Sequence, residues 1–181
     1  MANTSARPAW SVPVSLSEIP EGGKHFDLIA DETTRAAVAA LSGLRSLPRL
    51  HASFDVTRYG QYGLKVDGEV SATVGQNCVV TLDPLDNEVR EEINLVFAPP
   101  RERAGKHDDW DAIDILDLNE PEPMDRDGVD LGLLAAEFLM VGIDPYPRKP
   151  DATFEAPAAD GESDRPFAVL AALKKPPERE K

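Results

Sequence analysis

The sequence predicts an α+β fold in which an antiparallel β-sheet with a central hairpin is packed by two main helices. Two runs, 50–58 and 64–74, alternate apolar and polar residues on either side of a glycine-containing turn, as paired strands do. Apolar residues at helical spacing follow Asp31 and recur over 129–141. An open antiparallel sheet and a partly closed small barrel are both compatible with this pattern.

The central hairpin fixes which residues face the core. Because side chains alternate along a strand, Phe54 and Val70 are predicted to be buried, whereas His51 and Glu69 face solvent. After a predicted break at 75–77 and a short strand segment from Cys78, the turn at Asp83-Pro84 leads into a further strand. In that strand, the apolar residues Val89, Ile93, Leu95 and Phe97 share one face.

The remaining elements lie on either side of this sheet. Alternation over 10–16 predicts a strand. The strand should lie at a sheet edge, because Pro13 has no N–H to donate to a neighbouring strand. A short strand is expected near 25–29, then a helix capped by Asp31 and ended by Gly43.

The second predicted helix, 129–141, is apolar almost all round and should be the most buried helix of the domain. Its N-cap is Asp127 or Asp130, and Gly142 should lie just past its end. Glu137 is conspicuous among its apolar neighbours. One interpretation is that Glu137 lines a partner site or has a raised pKa. The other, which is favoured, is that it lies on the one exposed stripe of the helix or pairs with an arginine.

Short motifs spread along the chain resemble those of a known family. Gly68 lies in a Gly-x-Val strand that runs into Cys78, followed by Leu82-Asp83-Pro84 and an acidic alternating strand. Further motifs are Val129-Asp130-Leu131, Glu137-Phe138-Leu139, the 145–147 segment, and Pro166-Phe167-Ala168-Val169-Leu170 with Leu173-Lys174. Together they are similar to the bacterial YceD family. The resemblance implies a role in accumulation of large-subunit (23S) ribosomal RNA.

One departure from the family pattern limits what the resemblance implies. Many members have Cys-x-x-Cys-Leu where this chain has Cys78 and Thr81 before Leu82. A metal or redox role for a cysteine pair is therefore not carried over. An unpaired cysteine in a strand is most often a small core residue, and this is the expectation for Cys78.

Composition predicts one domain with polar ends. We expect a flexible N-terminal tail (1–8), a YceD-like domain (9–150) and a flexible proline-rich linker (151–165). An apolar docking segment (166–175) opens at Pro166 and Phe167, and a tail (176–181) follows.

Charge indicates the class of partner. Lys and Arg total 19 against 33 Asp and Glu, which gives a formal net charge of −14. Such a chain repels phosphate and attracts basic proteins. Combined with the resemblance to the YceD family, this charge makes a large-subunit ribosomal protein or pre-ribosomal particle the expected partner. Direct ribosomal RNA contact is disfavoured, and no DNA or membrane partner is expected. No apolar run of bilayer length and no signal peptide is visible, which favours the cytoplasm.

An acidic loop is predicted between Asp108 and Asp130, where ten acidic residues accompany a single base. Asp108, Asp109, Asp111 and Asp114 are its candidate partner-binding residues, with Asp130 at its end. A calcium loop of EF-hand type is excluded because its spacing would make Pro123 and Leu134 ligands. A solvated loop is favoured over an irregular divalent-cation site.

No phosphate-binding glycine loop, nucleophile elbow or paired-histidine motif occurs in the sequence. The chain is therefore expected to be non-enzymatic and without a cofactor, and the resemblance to the YceD family implies that it is a ribosome biogenesis factor. The alternative is a small metal-dependent hydrolase that uses the acidic loop and Glu137.

Overall fold

The computed structural model describes residues 8–99, 121–124 and 128–154. A short 3₁₀ turn occupies Leu16–Glu18. The strands and helices, in chain order, are Pro13–Val14 (β1), Lys24–Ile29 (β2), Glu32–Leu41 (α1), Ser46–Tyr59 (β3), Gly63–Asn77 (β4), Pro84–Ala98 (β5), Glu122–Pro123 (β6), Val129–Asp130 (β7) and Leu131–Gly142 (α2). The α+β class and both main helices are thus confirmed.

The main sheet has the strand order β2-β3-β4-β5-β6. Its neighbours are antiparallel except for β6, which runs parallel to the last two residues of β5. The predicted hairpin is the β3–β4 pair, in which Phe54 lies opposite Gly68 and Ala52 opposite Val70. Phe54 and Val70 are completely buried, whereas His51 and Glu69 are partly exposed, so the predicted register is confirmed.

Among the residues that the structure describes, the sheet is open. Its two outermost strands, β2 and β6, do not pair with each other. A barrel requires its first and last strands to pair along a staggered register. The structure therefore supports the open sheet and not the barrel alternative.

Both helices pack beside the sheet. Helix α2 contacts β4 and β5 and buries half of its residues, including Leu131 and Leu139, whereas α1 packs on β3 and buries only Val38 and Ala39. The prediction that the second helix is the more buried one is confirmed.

Capping residues determine where the helices begin and end. Asp31 caps α1 by accepting a hydrogen bond from the Thr34 N–H, as predicted. At the other end, Gly43 has a φ of 65° and the Leu44 N–H bonds to the Ala39 carbonyl, as in a Schellman motif. Helix α2 begins two residues later than predicted and includes Gly142 as its last residue.

The N-terminal prediction was wrong in extent. Of the predicted strand over 10–16, only β1 forms, and it pairs with β7 in a separate two-stranded sheet. The alternation does not persist because the chain turns into the 3₁₀ element directly afterwards. Trp10 and Val14 are nevertheless buried in the core.

The predicted break at 75–77 is also wrong, because β4 continues without interruption to Asn77. Gly75 allows a close approach: an added Cβ would lie 2.1 Å from the Ser46 hydroxyl and 3.2 Å from an Asp86 carboxylate oxygen. A glycine within a strand often marks such an approach instead of a chain break. The consequence is that Cys78 lies in the turn between β4 and β5 and not in a strand.

Candidate functional site

Cys78, Leu82 and Asp83, three of the family-motif residues, lie in one tight turn between β4 and β5. The Cys78 N–H donates to the Asp83 carbonyl at 2.8 Å, and the Leu82 N–H donates to the Cys78 carbonyl at 2.9 Å. Leu82 has a φ of 61°, which a leucine adopts at a cost. Its side chain is 76% exposed, so burial of this leucine does not offset the cost. We call residues 78–83 the Cys78 turn.

The sulfur of Cys78 accepts hydrogen bonds inside this turn. The Thr81 hydroxyl, followed by the backbone N–H groups of Lys149 and Thr81, lowers the pKa of the Cys78 thiol to about 6. These donors outweigh desolvation, which raises the pKa. Because the Cys78 side chain is completely buried, its sulfur faces these donors and is shielded from solvent.

The chain after α2 docks on the Cys78 turn. The Val79 N–H donates to the Pro147 carbonyl at 2.9 Å, and the Gln76 side-chain amide donates to the Asp144 carbonyl at 2.8 Å. Lys149 lies 3.0 Å from Asp83 and lowers the pKa of that carboxyl. The structure thus brings the 145–147 motif, which is distant in sequence, against Cys78.

Gly68 has a packing role in the sheet. Its missing side chain makes room for Phe54: an added Cβ would lie 2.4 Å from the Ser53 carbonyl oxygen and 2.5 Å from the Phe54 ring. The glycine therefore allows a large aromatic side chain to fill the core directly across the strand pair.

Asp130 has a structural role at the start of α2. One carboxylate oxygen accepts hydrogen bonds from the N–H groups of Gly132, Leu133 and Val12, and the other accepts one from the Ser11 hydroxyl. This carboxylate caps the helix and ties it to the N-terminal segment at the same time.

Glu137 is exposed on α2, on a stripe with the partly exposed Leu133 and Met140. The exposed-stripe interpretation is therefore the one that the structure supports. The other candidates, Asp108, Asp109, Asp111, Asp114, Pro166 and Phe167, lie outside the described residues.

The solvent face of the sheet carries a network of cross-strand charge pairs that sequence analysis missed. Arg49 pairs with Glu88 at 2.7 Å, and hydrogen bonds from the Thr73 hydroxyl and from Arg49 lower the pKa of Glu88. Arg90 of β5 pairs with Glu69 of β4, and Lys65 pairs with Asp67 along the same strand, β4. On this face, His25 is also hydrogen-bonded to Asp55, and His51 to Asp27, across the β2–β3 pair. Such pairs can be identified only from the exact strand register, and the sequence predicts that register only approximately.

Two kinds of feature, a metal-binding cluster and a membrane-spanning helix, are absent from the described part of the chain. No group of three or more His, Cys, Asp or Glu side chains there is arranged to hold a metal ion. None of the described helices is both long and apolar enough to span a bilayer.

Comparison with known proteins gives one match. No curated protein and no solved structure matches the sequence significantly. The family model described as large ribosomal RNA subunit accumulation protein YceD matches residues 66–174, which is more than half of the chain. The match begins in β4 and includes the Cys78 turn, α2 and the segment that docks on the turn. The chain therefore belongs to the YceD family of large ribosomal RNA subunit accumulation proteins.

Proposed function

We propose that this chain is a non-enzymatic factor that supports accumulation of large-subunit (23S) ribosomal RNA by binding a basic ribosomal protein or an assembly intermediate. Family membership implies the process, since the family is defined by large ribosomal RNA subunit accumulation. The proposed place of action is the cytoplasm, where ribosomal subunits of a bacterial cell are assembled.

The observation that supports a protein partner is that most of the described cationic side chains already make contacts within the chain. In the part of the chain that the structure describes, every lysine and arginine other than Arg148 makes an intramolecular contact. Arg45, Arg49, Lys65, Arg90 and Lys149 pair with carboxylates, Arg35 and Arg58 donate to backbone carbonyls, and Lys24 lies over the Phe26 ring.

This arrangement opposes RNA binding by the described surface. An RNA phosphate would have to displace a carboxylate or a carbonyl from each of these cations except Lys24 and then face the excess of acidic side chains. A lysine- and arginine-rich protein meets competition only at the carboxylates that are already paired, and the net charge of −14 steers it toward the surface.

The experiment measures binding of the purified full chain to two probes, isolated basic large-subunit ribosomal proteins and naked 23S ribosomal RNA, over a range of salt concentrations. We expect binding to a ribosomal protein that weakens strongly with salt, because the Debye length falls to about 8 Å at physiological ionic strength. Tight binding to naked RNA without binding to the proteins would contradict the proposal.

Charge variants locate the contact. Replacing Asp108, Asp109, Asp111 and Asp114 together by Asn should weaken binding at low salt. The matched control replaces the same four residues by Glu, which retains the charge and should retain the affinity. Equal affinity of the Asn and Glu variants would exclude these four residues from the contact.

A further inference from the structure

Two adjoining grooves run along α1 toward the Cys78 turn. The first, of about 460 Å³, lies between α1 and the start of β3 and is lined by apolar residues, among them Ala36, Ala40 and Leu47, together with the charged residues Glu32 and Arg35. The second, of about 440 Å³, is lined by Val79, Pro145 and Pro147, among others. Because Leu44 and Arg45 line both, the grooves form one continuous surface, which we call the α1 groove.

The α1 groove is lined by apolar side chains that the described residues leave in contact with solvent. Val79 is 43% exposed and Leu44 is half-buried. The other exposed apolar lining residues are Ala36, Ala40, Pro48 and Pro145. Single exposed apolar residues are ordinary, but a group of them along one groove is typical of a surface that another segment covers.

The path of the chain leads toward this groove. Lys149 is held at Asp83 in the Cys78 turn, and the last described residue, Phe154, follows five positions later. Beyond it, residues 166–173 have the sequence PFAVLAAL, which we call the C-terminal apolar segment. The intervening residues span up to roughly 40 Å when extended, at about 3.3 Å per residue, which exceeds the length of α1, about 15 Å at 1.5 Å per residue.

Tethering favours this segment over a separate molecule. A segment joined to the groove by about a dozen residues of its own chain has an effective concentration on the order of millimolar, far above that of a second copy or a free partner of similar intrinsic affinity. The family match ends at residue 174, immediately after the apolar segment, which associates that segment with the folded domain.

We propose that the C-terminal apolar segment binds in the α1 groove of its own chain, with Phe167 against Leu44 and Val79. The inference is independent of the proposed function, since it concerns only how the chain covers its own surface.

The test uses methyl-labelled full-length protein in NMR experiments. We expect nuclear Overhauser effects between the Phe167 ring and the methyl groups of Leu44 or Val79. The Phe167→Asp variant should abolish them and shift those methyl signals, whereas the control Phe154→Asp should leave them unchanged.

Two further results would overturn the proposal. One is that Phe167→Asp leaves the Leu44 and Val79 signals in place. The other is that the Overhauser effects occur only between differently labelled copies in a mixed sample, which would assign the groove to a second molecule. Replacing Val79 by Asp provides a test from the groove side and should shift the Phe167 ring signals.

Discussion

At the scale of single residues, most of the family-motif positions that the structure describes serve the fold. Gly68 makes room for Phe54, Asp130 caps α2, and Cys78 accepts the hydrogen bonds of its turn. Leu82 is different, because its strained backbone and exposed side chain contribute nothing visible to packing. A residue that the core does not require is the better candidate for contact with a partner.

Replacing Gly68 by Ala should destabilise the protein by about 1–3 kcal/mol, because the new methyl group overpacks the Ser53 carbonyl and the buried Phe54 ring. Gly22→Ala is the matched control, since a Cβ added at Gly22 would meet no atom within 4 Å. Urea unfolding followed by circular dichroism measures both variants. Equal stabilities would show that the strands separate enough to accept a side chain at position 68.

Cys78 should make stability depend on pH near neutrality. Its folded pKa of about 6 lies below the ordinary thiol value, so the unfolded chain binds more protons between about pH 6 and pH 8.5. Stability contributed by the thiolate is therefore present above that range and is lost as the pH falls through about 6. Cys78→Ser should flatten this rise in the free energy of unfolding, whereas Glu88→Gln, on the solvent face of the sheet and outside the Cys78 turn, should not alter it, because carboxyl groups titrate at lower pH. An unchanged slope in the serine variant would contradict a thiolate acceptor.

At the scale of elements, the turn and the post-helical segment form one unit. Lys149 contacts Asp83 through its side chain and Cys78 through its backbone, while Pro147 accepts from Val79. The unit explains why two motifs that are distant in sequence occur together: each supplies the hydrogen-bond partners of the other.

Lys149→Met should therefore loosen the docked segment and speed hydrogen exchange of the Val79 amide, which bonds to Pro147. Arg148→Met removes a neighbouring positive charge and serves as the control, with little change in exchange expected. If the Val79 amide exchanges at the same rate in both variants, the Lys149–Asp83 pair does not hold the segment in place.

Sequence periodicity predicted the elements that alternate or repeat over many residues. The β3–β4 register, the acidic strand β5 and both helices follow from it, because one buried face dictates a period of two or of 3.6. Periodicity failed where an individual contact or turn, and not a repeating pattern, decides the conformation. Gly75 resembled a break because its close neighbour, Ser46, is remote in sequence, and the 10–16 alternation ended at a 3₁₀ turn.

At the scale of the whole molecule, charge is distributed in a way that composition alone does not reveal. The net charge of −14 is evident from the sequence, but the engagement of most described cations within the fold is not. It follows from strand pairing, which sets Arg49 beside Glu88 and Arg90 beside Glu69. The docking of 143–149 on the Cys78 turn could likewise not be predicted, because it depends on backbone hydrogen bonds, which leave no pattern in the sequence.

The most direct measurement of the central claim is the ratio of 23S to 16S ribosomal RNA in cells that lack this protein. We predict that the ratio falls on deletion and is restored by the wild-type chain and by the variant with Glu at positions 108, 109, 111 and 114. The corresponding Asn variant should restore it only in part. A normal ratio in the deletion strain, under conditions in which the wild-type protein is present at its usual level, would contradict the proposed function.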